Sequence, residues 1–345
     1  MKLASASASP IDIRLTETVP TGAGGVGDRG GLRLLITTDD NYIGLGETAP
    51  IPGVEGFGIE ALGAEIAKWS ADAQGQAPEE LLGSLDDASL SSLARFAVHT
   101  ALVDLLASAA EVPLAQYLRA GSPSSVAVNA LITAANPGAV HTQVQECVSA
   151  GVRAIKLKVG VVTPTVDVTR VIAASEAAGP SVELRLDANR SWDRETAERV
   201  LGRVGHHRIS YLEDPTADRS EYGEIAASSG VRVALDLPPD LDVNKALETS
   251  QASVAVVKPA AIGGVDRILD LAREYNDVQI VVSSSIDREI ALAAAIHVAA
   301  ALPQQGAHGL STGAIVRSMP TELISVGGWV EVPRTAGVFR PTKVA

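Results

Sequence analysis

The sequence predicts an α/β fold: a modified (β/α)8 barrel, TIM-like and of (β/α)7β form, with an α+β capping domain. Two observations predict the barrel. From about residue 125, short apolar runs alternate with helical patterns, and acidic or basic residues end these runs at intervals of about 22 to 29 residues. One strand, one helix and two loops fill such an interval. Before residue 120, strand patterns come first and helical patterns follow, which indicates a separate α+β domain.

The capping domain is predicted over residues 1–120. Its extended segments are IDIRLTET, GLRLLITT and YIGLGETA, and helical patterns follow at 58–72, 77–84 and 89–109. The glycine-rich stretch TGAGGVGDRGG (21–31) joins the first two extended segments. It is predicted as a mobile loop rather than a phosphate cradle, because no G-x-x-x-x-G-K-S/T pattern is present.

The barrel is predicted over residues 121–315, and a C-terminal segment, 316–345, is predicted to return to the capping domain. Continuous apolar runs are typical of parallel strands that helices cover on the outside. The seven strand candidates are VAVNALI, AIKLKVG, VELRLDA, ISYLED, VRVALD, VAVVKPA and QIVVSSS, with AHGLST (307–312) as a weak eighth.

Composition limits the partners and the compartment. Hydrophobic residues make up 46% and charged residues 20% of the 345, which is enough for a large core. A formal charge of -13 argues against nucleic acid or an anionic membrane as a partner. The single cysteine, Cys147, excludes an internal disulfide and indicates a cytoplasmic location. No export signal is visible, and the apolar stretch 291–302 is too short to span a bilayer.

Three acids end consecutive strand candidates: Asp187, Glu213 and Asp236. All strands of such a barrel end on one face, so the spacing predicts that the three carboxylates meet there. Three carboxylates suit a hard octahedral cation, so the predicted cofactor is Mg²⁺, with Mn²⁺ as a substitute. The alternative is that each acid only caps the helix that follows it.

Lysines end the strands on both sides of the three acids. Lys158 and Lys258 are the candidate catalytic residues, because a lysine beside a bound cation has its charged form disfavoured and can act as a base. Lys156 lies on the same side of its strand as Lys158 and is predicted to contact substrate and to depress the pKa of Lys158.

Small and polar residues at other strand ends complete the predicted binding site for a small-molecule carboxylate. Asn189 is predicted to support the metal site, with a helix-start cap as the alternative. Ser283, Ser284 and Ser285 offer hydroxyl and backbone donors for a substrate carboxylate, with a simple loop role as the alternative for each. Gly309 would let a ligand approach the backbone. His297 and His308 follow no partner pattern and are expected to have structural roles.

These motifs resemble a known family. KLKVG, LRLDANRSW, YLEDP, ALD, VVKP and VVSSSID are similar to the enolase superfamily in its muconate-lactonising subgroup. Within it, GLGETAPIPG (44–53), RFAVHTALVDL (95–105), VVKPAAIGG and SSSID most resemble the o-succinylbenzoate synthase family of menaquinone biosynthesis. The resemblance implies Mg²⁺-dependent dehydration of a cyclohexadiene carboxylate that carries a succinyl side chain, with Lys158 as the base and Lys258 as the stabilising cation.

Two positions depart from the family pattern. The third metal strand commonly continues Asp-Glu-Ser, whereas this chain has Asp236-Leu237-Pro238, which removes an expected partner of the site lysines. In the capping domain only Asp28-Arg29-Gly30 resembles a substrate loop, so Arg29 is either a substrate contact or an exposed loop residue.

Two other functions remain open at this level. One is a racemase or epimerase acting on N-acyl amino acids or dipeptides, which would use the same two lysines. Dipeptide epimerases usually carry Asp-x-Asp at the eighth strand, where this chain has Gly309-Leu310-Ser311-Thr312, so an N-succinylamino acid racemase is the stronger form of this alternative. The other is a barrel that has lost catalysis and only binds a ligand.

Overall fold

The computed structural model describes residues 1–21, 24–52, 58–239, 242–304 and 306–340. The N-terminal part begins with five strands: β1 (Leu3–Ile13), β2 (Val19–Thr21), β3 (Gly24–Val26), β4 (Arg29–Thr38) and β5 (Ile43–Thr48). Four helices follow: α1 (Ile59–Ala73), α2 (Pro78–Gly83), α3 (Ser92–Ala109) and α4 (Leu114–Leu118). Strands first and helices afterwards is the order that the sequence predicted for this part.

The first sheet is antiparallel, with strand order β1-β4-β5, and α3 packs across it. The close approach depends on two glycines in β5, because a Cβ atom on Gly44 or Gly46 would overlap the carbonyl oxygen of Ala101 or Ala97 in α3. By length and composition α3 could cross a membrane, but 89% of it is buried inside the fold. It is therefore the central helix of this part of the core.

The glycine-rich segment is more ordered than predicted. Val19–Thr21 and Gly24–Val26 pair as an antiparallel hairpin, and residues 22 and 23 lie outside the described part. Gly30 and Gly31 belong to β4, where they pair with β1. A Cβ on Gly31 would meet the Thr48 carbonyl and the Ala49 side chain, so glycine serves close strand packing here. The mobile-loop prediction was wrong for these described residues.

The second part supplies the barrel. Its strands are β6 (Ser125–Ala127), β7 (Ala130–Ile132), β8 (Ala154–Lys158), β9 (Glu183–Asp187), β10 (Ile209–Glu213), β11 (Val233–Asp236), β12 (Val254–Val257) and β13 (Gln279–Val282). The helices are α5 (Pro137–Ser149), α6 (Pro164–Ala178), α7 (Arg194–Val204), α8 (Tyr222–Ser229), α9 (Val243–Ser250), α10 (Pro259–Ile262), α11 (Val265–Glu274) and α12 (Glu289–Ala301). Strands β7 to β13 form one parallel sheet in sequential order, as predicted.

Two details differ from the predicted strand list. VAVNALI is divided, since only its second half, β7, joins the parallel sheet, while β6 pairs antiparallel with β14 (Trp329–Glu331). The weak eighth strand forms single bridges, Val128 with His308 and Ser283 with Gly309, instead of a ladder. Those bridges connect the first and last parts of the sheet.

The C-terminal segment contacts both parts of the molecule. Its strand β14 lies against β6, whereas Val316 bridges to Leu15 near the first sheet. Asp104 in α3 is fully buried and accepts hydrogen bonds from the backbone N–H of Leu45 (2.7 Å) and of Val338 (2.5 Å). One buried carboxylate therefore holds β5, α3 and the C-terminal segment together. Residues 341–345 lie outside the described part.

Candidate active site

The three predicted metal acids occupy the carboxyl ends of neighbouring strands. Register pairs Lys158 with Asp187 and Asp187 with Glu213, so these side chains start from adjacent points on one rim. Asp236 ends the next strand, β11, and Lys258 directly follows β12. None of the acids caps the helix after it, because α7 is capped by Asp193 and α9 by Asp242, and the short 3-10 helix after β10 by Asp218. The helix-cap alternative is therefore wrong.

Lysine ammonium groups lie between the carboxylates. Lys156 Nζ is 2.8 Å from Asp187 Oδ2 and 2.8 Å from Glu213 Oε1, and Lys158 Nζ is 2.7 Å from Asp187 Oδ2. Lys258 Nζ donates to both oxygens of Asp236, at 2.5 and 2.6 Å. In place of the missing acid, Leu237 is fully buried, and Asp236 itself pairs with Lys258.

The charges at this rim shift the pKa values of buried groups strongly. Burial raises the pKa of Glu213, and repulsion by Asp187 adds to it, so that the pKa is about 7. Burial would also raise the pKa of Asp187, but attraction to Lys156 and Lys158 outweighs it and the pKa is lowered. Burial would lower the pKa of Lys258, yet its neighbour Asp236 raises it overall.

Lys156 carries a firmly held positive charge. Burial would lower its pKa, but Asp187 and Glu213 outweigh that effect and raise it well above the usual lysine value. Its ammonium group is thus a fixed positive charge between two carboxylates. The base role predicted for a lysine beside a bound cation, at Lys158 or Lys258, stays a prediction.

The donor set fits a hard cation chemically. Three carboxylates from consecutive strands face one cavity, and both Asp187 and Asp236 raise the pKa of Glu213, which shows how closely their negative charges are crowded. As the side chains are positioned, no three His, Cys, Asp or Glu groups in the described ranges form a cation-binding cluster. Lys156 occupies the place between Asp187 and Glu213 where a cation would compete with it.

A cavity of about 350 Å³ opens above these residues. Many predicted site residues line it, namely Lys156, Lys158, Asp187, Asn189, Glu213, Asp236, Lys258, Ser283, Ser284 and Ser285. Ile51 from the first part of the chain also lines it, so both parts of the molecule contribute to the wall. Arg29 and Gly309 are absent from the lining formed by the described residues.

Asn189 orients the ends of β8 and β9. Its side-chain N–H donates to Asp187 Oδ1 at 2.8 Å, its backbone N–H donates to the same atom at 3.0 Å, and its side-chain oxygen accepts from Lys158. Asn189 has a φ of 45°, and the next residue has a φ of 61°. Two left-handed non-glycine residues in succession are costly and are typical of functional sites. Asn189 supports Asp187 and Lys158 rather than a helix start.

The serine run has fewer donors to offer than predicted. The backbone N–H of Ser283 donates to Val257 O, that of Ser284 to Gly309 O, and that of Ser285 to Asp287 Oδ2. Those backbone groups are therefore already satisfied within the protein, and the hydroxyls of Ser283 and Ser284 also donate within it, to Gly309 O and Asp287 Oδ2. Gly309 also differs, since a Cβ there would meet the Ser283 side chain, so its close approach is to Ser283, which directly follows β13.

Arg29 is neither an exposed loop residue nor part of the cavity lining in the described structure. It begins β4, is 8% exposed, and its Nη2 donates to the carbonyl oxygens of Ser285 (2.7 Å) and Ile286 (2.9 Å). The side chain thus reaches from the first sheet to the turn after β13. Its partners lie about 256 residues away in sequence, so spacing alone could not assign them.

Three residues at the site were missed by the sequence analysis. Asp214 accepts from the backbone N–H of Asp236 (3.0 Å), and burial, with repulsion by Asp236, raises its pKa to about 6. Strand alternation places it opposite Glu213, but the strand ends there and a φ of 42° turns it towards the site. Arg190 and Arg219 also line the cavity, and only their proximity to the acidic motifs could have indicated them.

Residues 139–338 match the family described as Enolase C-terminal domain-like. This match covers more than half of the chain, so the chain belongs to that family. The predicted membership in the enolase superfamily is confirmed, and so is the barrel fold.

Several proteins named o-succinylbenzoate synthase are similar in sequence to this chain. The o-succinylbenzoate synthase of Thermobifida fusca is 34% identical over 52% of this chain and 57% of its own length. The synthase of Mycobacterium ulcerans is 34% identical over 61% of this chain and 65% of its own length. The synthase of Thermosynechococcus vestitus is 28% identical over 82% of this chain and 84% of its own length. The chain therefore spans less than two thirds of the first two relatives.

Solved structures share the fold. A dipeptide epimerase from Enterococcus faecalis, complexed with Mg and the dipeptide L-Leu-L-Tyr, has a TM-score of 0.87 at 22% identity and covers 98% of this chain and 99% of its own. An N-succinyl Arg/Lys racemase from Bacillus cereus has a TM-score of 0.88 at 20% identity, covering 98% and 95%. At these identities the likeness concerns the fold alone.

Proposed function

We propose that this protein is an o-succinylbenzoate synthase: a Mg²⁺-dependent lyase that dehydrates 2-succinyl-6-hydroxy-2,4-cyclohexadiene-1-carboxylate to 2-succinylbenzoate in menaquinone biosynthesis. One observation carries the proposal. Lys158 ends β8 and Lys258 directly follows β12, on opposite sides of the three acids, and both face the same cavity. The similarity to synthases named above supports the choice of reaction. The single cysteine supports a cytoplasmic location for it.

Each residue has a defined task in the proposed reaction. Mg²⁺ held by Asp187, Glu213 and Asp236 would supply a positive charge that stabilises negative charge developing on the substrate carboxylate. Lys158, in its neutral form, takes the proton from the ring carbon next to that carboxylate, and the electron pair moves towards the carboxylate oxygens. The protonated Lys158 then returns the proton to the departing hydroxyl. Water leaves and the ring becomes aromatic.

Lys258 acts as the stabilising cation on the other side of the cavity. It donates to both oxygens of Asp236, and this holds its ammonium group in a fixed position. A fixed charge aimed at the place where negative charge develops lowers the barrier without having to reorganise. Asn189 holds the side chains of Asp187 and Lys158 in position for the proton transfer through its hydrogen bonds to both.

A second candidate is an N-succinylamino acid racemase. The same pair of lysines on opposite sides of one cavity would allow one to remove a proton and the other to return it. The synthases named above are 28–34% identical to this chain, whereas the racemase is 20% identical, so we place the lyase first.

A lysine replacement series tests the proposal. Lys158→Ala should eliminate formation of the aromatic product, and Lys258→Ala should reduce it severely, because one removes the base and the other the stabilising charge. Lys245→Ala is the matched control, since Lys245 is exposed on α9 and away from the cavity lining. Product formation by Lys158→Ala at the rate of the control would refute the assignment of the base.

A further inference from the structure

The turn that follows β13 has an unusual backbone. Ile286 has a φ of 64° and lines the cavity together with Ser285. A β-branched residue rarely adopts this left-handed conformation, because its Cβ crowds the following carbonyl. Such a conformation persists only where surrounding contacts fix it. The contacts around this turn therefore determine the shape of one wall of the cavity.

Bonds within the turn satisfy its N–H groups. Ser284 Oγ accepts from the backbone N–H of Ile286 (2.9 Å) and of Asp287 (3.2 Å). Asp287 Oδ2 accepts from the backbone N–H of Ser285 (2.9 Å) and from the hydroxyl of Ser284 (3.0 Å). These bonds leave the carbonyl oxygens of Ser285 and Ile286 to be satisfied from outside the turn.

Arg29 supplies that outside contact. One nitrogen, Nη2, donates to both carbonyl oxygens, and its positive charge also lies within electrostatic reach of the buried Asp287. Arg29 comes from β4 of the first sheet, whereas the turn belongs to the barrel. A single buried guanidinium group thus connects the capping sheet with the strained turn at the cavity.

We propose that Arg29 is a positioning residue, which holds the 284–287 turn with Ile286 in its left-handed conformation and thereby sets the shape of the cavity wall that Ser285 and Ile286 form. It acts through the turn and does not touch the substrate. The kinetic part of this inference rests on the proposed dehydration, whereas the conformational part does not.

The conformational part is tested by hydrogen exchange without a ligand. In Arg29→Met, amide exchange in the peptide that covers residues 283–287 should become at least about tenfold faster, since two anchoring bonds are lost. Arg33→Met is the matched control. Arg33 also extends from β4 to the barrel, but it contacts Glu289 at 2.7 Å and not the turn carbonyls. Equal exchange in Arg29→Met and the wild type, or equal acceleration in both variants, would overturn the inference.

The kinetic part uses a double-mutant cycle with Ile286→Gly, because glycine adopts a positive φ without a Cβ penalty. Arg29→Met should raise KM for the cyclohexadiene substrate about tenfold while kcat changes less, and Arg29→Lys should restore part of the loss. In the Ile286→Gly background the same replacement should raise KM less than about threefold.

The outcomes separate this inference from the proposed function. An equal effect of Arg29→Met in both backgrounds, or a lower melting temperature with unchanged KM, would overturn the positioning role. The wild type could show no turnover while Arg29→Met, but not Arg33→Met, accelerates amide exchange in the turn. In that case the proposed dehydration fails and the positioning role stands.

Discussion

His297 offers a quantitative test of the packing between the barrel and the C-terminal segment. It lies in α12, is fully buried, and its Nδ1 accepts from the backbone N–H of Ala115 at 3.0 Å. Its Nε2 is then protonated and donates to the carbonyl oxygen of Val338 at 2.6 Å. Burial lowers the pKa of His297 to about 4, although the Val338 carbonyl opposes the shift. The structural role expected from the sequence is confirmed.

The lowered pKa makes stability depend on pH in a defined direction. An unfolded histidine has a pKa of about 6.5 and therefore binds protons more readily than folded His297. The stability that the neutral form provides is complete above pH 6.5 or so and is lost as the pH falls towards about 4. Between about pH 7.5 and about pH 5, linkage gives a loss of about 2 kcal/mol from this one residue.

Urea unfolding at those two pH values measures the effect. His297→Gln keeps a neutral polar side chain and removes the titration, so its free energy of unfolding should fall about 2 kcal/mol less over this interval than that of the wild type. The change measured for the variant must be subtracted from that of the wild type, because the buried His99 and His308 also have lowered pKa values and contribute to both. His141→Gln, at a partly exposed position in α5, is the control. An unchanged pH dependence in His297→Gln would refute the burial of a neutral imidazole.

Three further predictions concern the metal site and the core. Glu213→Gln should weaken Mg²⁺ binding in titration calorimetry while the circular dichroism spectrum stays unchanged, and a normal Mg²⁺ affinity would remove Glu213 from the ligand set. In the wild type, a chelator should abolish activity until Mg²⁺ or Mn²⁺ is added back. Gly46→Ala should cost about 1 to 3 kcal/mol in thermal unfolding because its Cβ overlaps the carbonyl group of Ala97. Gly63→Ala is the control and should not destabilise, because its Cβ would make only an ordinary van der Waals contact with Leu32, at 3.8 Å. Arg95→Met should cost about 2 to 3 kcal/mol in urea unfolding, since Arg95 donates hydrogen bonds to the Gly263 carbonyl and to Asp266 across the two parts. No loss would contradict that connection.

The strand-end residues could be predicted from the sequence because their position depends on local rules. Asp187, Glu213 and Asp236 each end an apolar run, and parallel strands in one barrel end on the same face. The regular spacing of the strands and their common direction were therefore enough to predict that the three carboxylates lie close together. The eighth strand was less predictable, because Gly309 pairs through single bridges that a short polar segment does not reveal.

Residues whose role depends on distant backbone could not be assigned in this way. Arg29 bonds to carbonyls at Ser285 and Ile286, and any arginine has the same appearance in sequence whether it lies at the surface or in such a contact. Asp214 turns towards the site only because its φ is 42°, which alternation along a strand does not anticipate. Both depend on tertiary contacts that composition and spacing leave open.

The central claim is that Lys158 and Lys258 divide their work between proton transfer and charge stabilisation in a dehydration. The most direct measurement incubates the wild-type protein with Mg²⁺ in D₂O, in parallel with the cyclohexadiene substrate and with N-succinyl amino acids. We expect rapid formation of the aromatic product and slow or absent exchange of the amino acid α-hydrogen for deuterium. Fast exchange without measurable dehydration would contradict it and would assign the two lysines to a racemase.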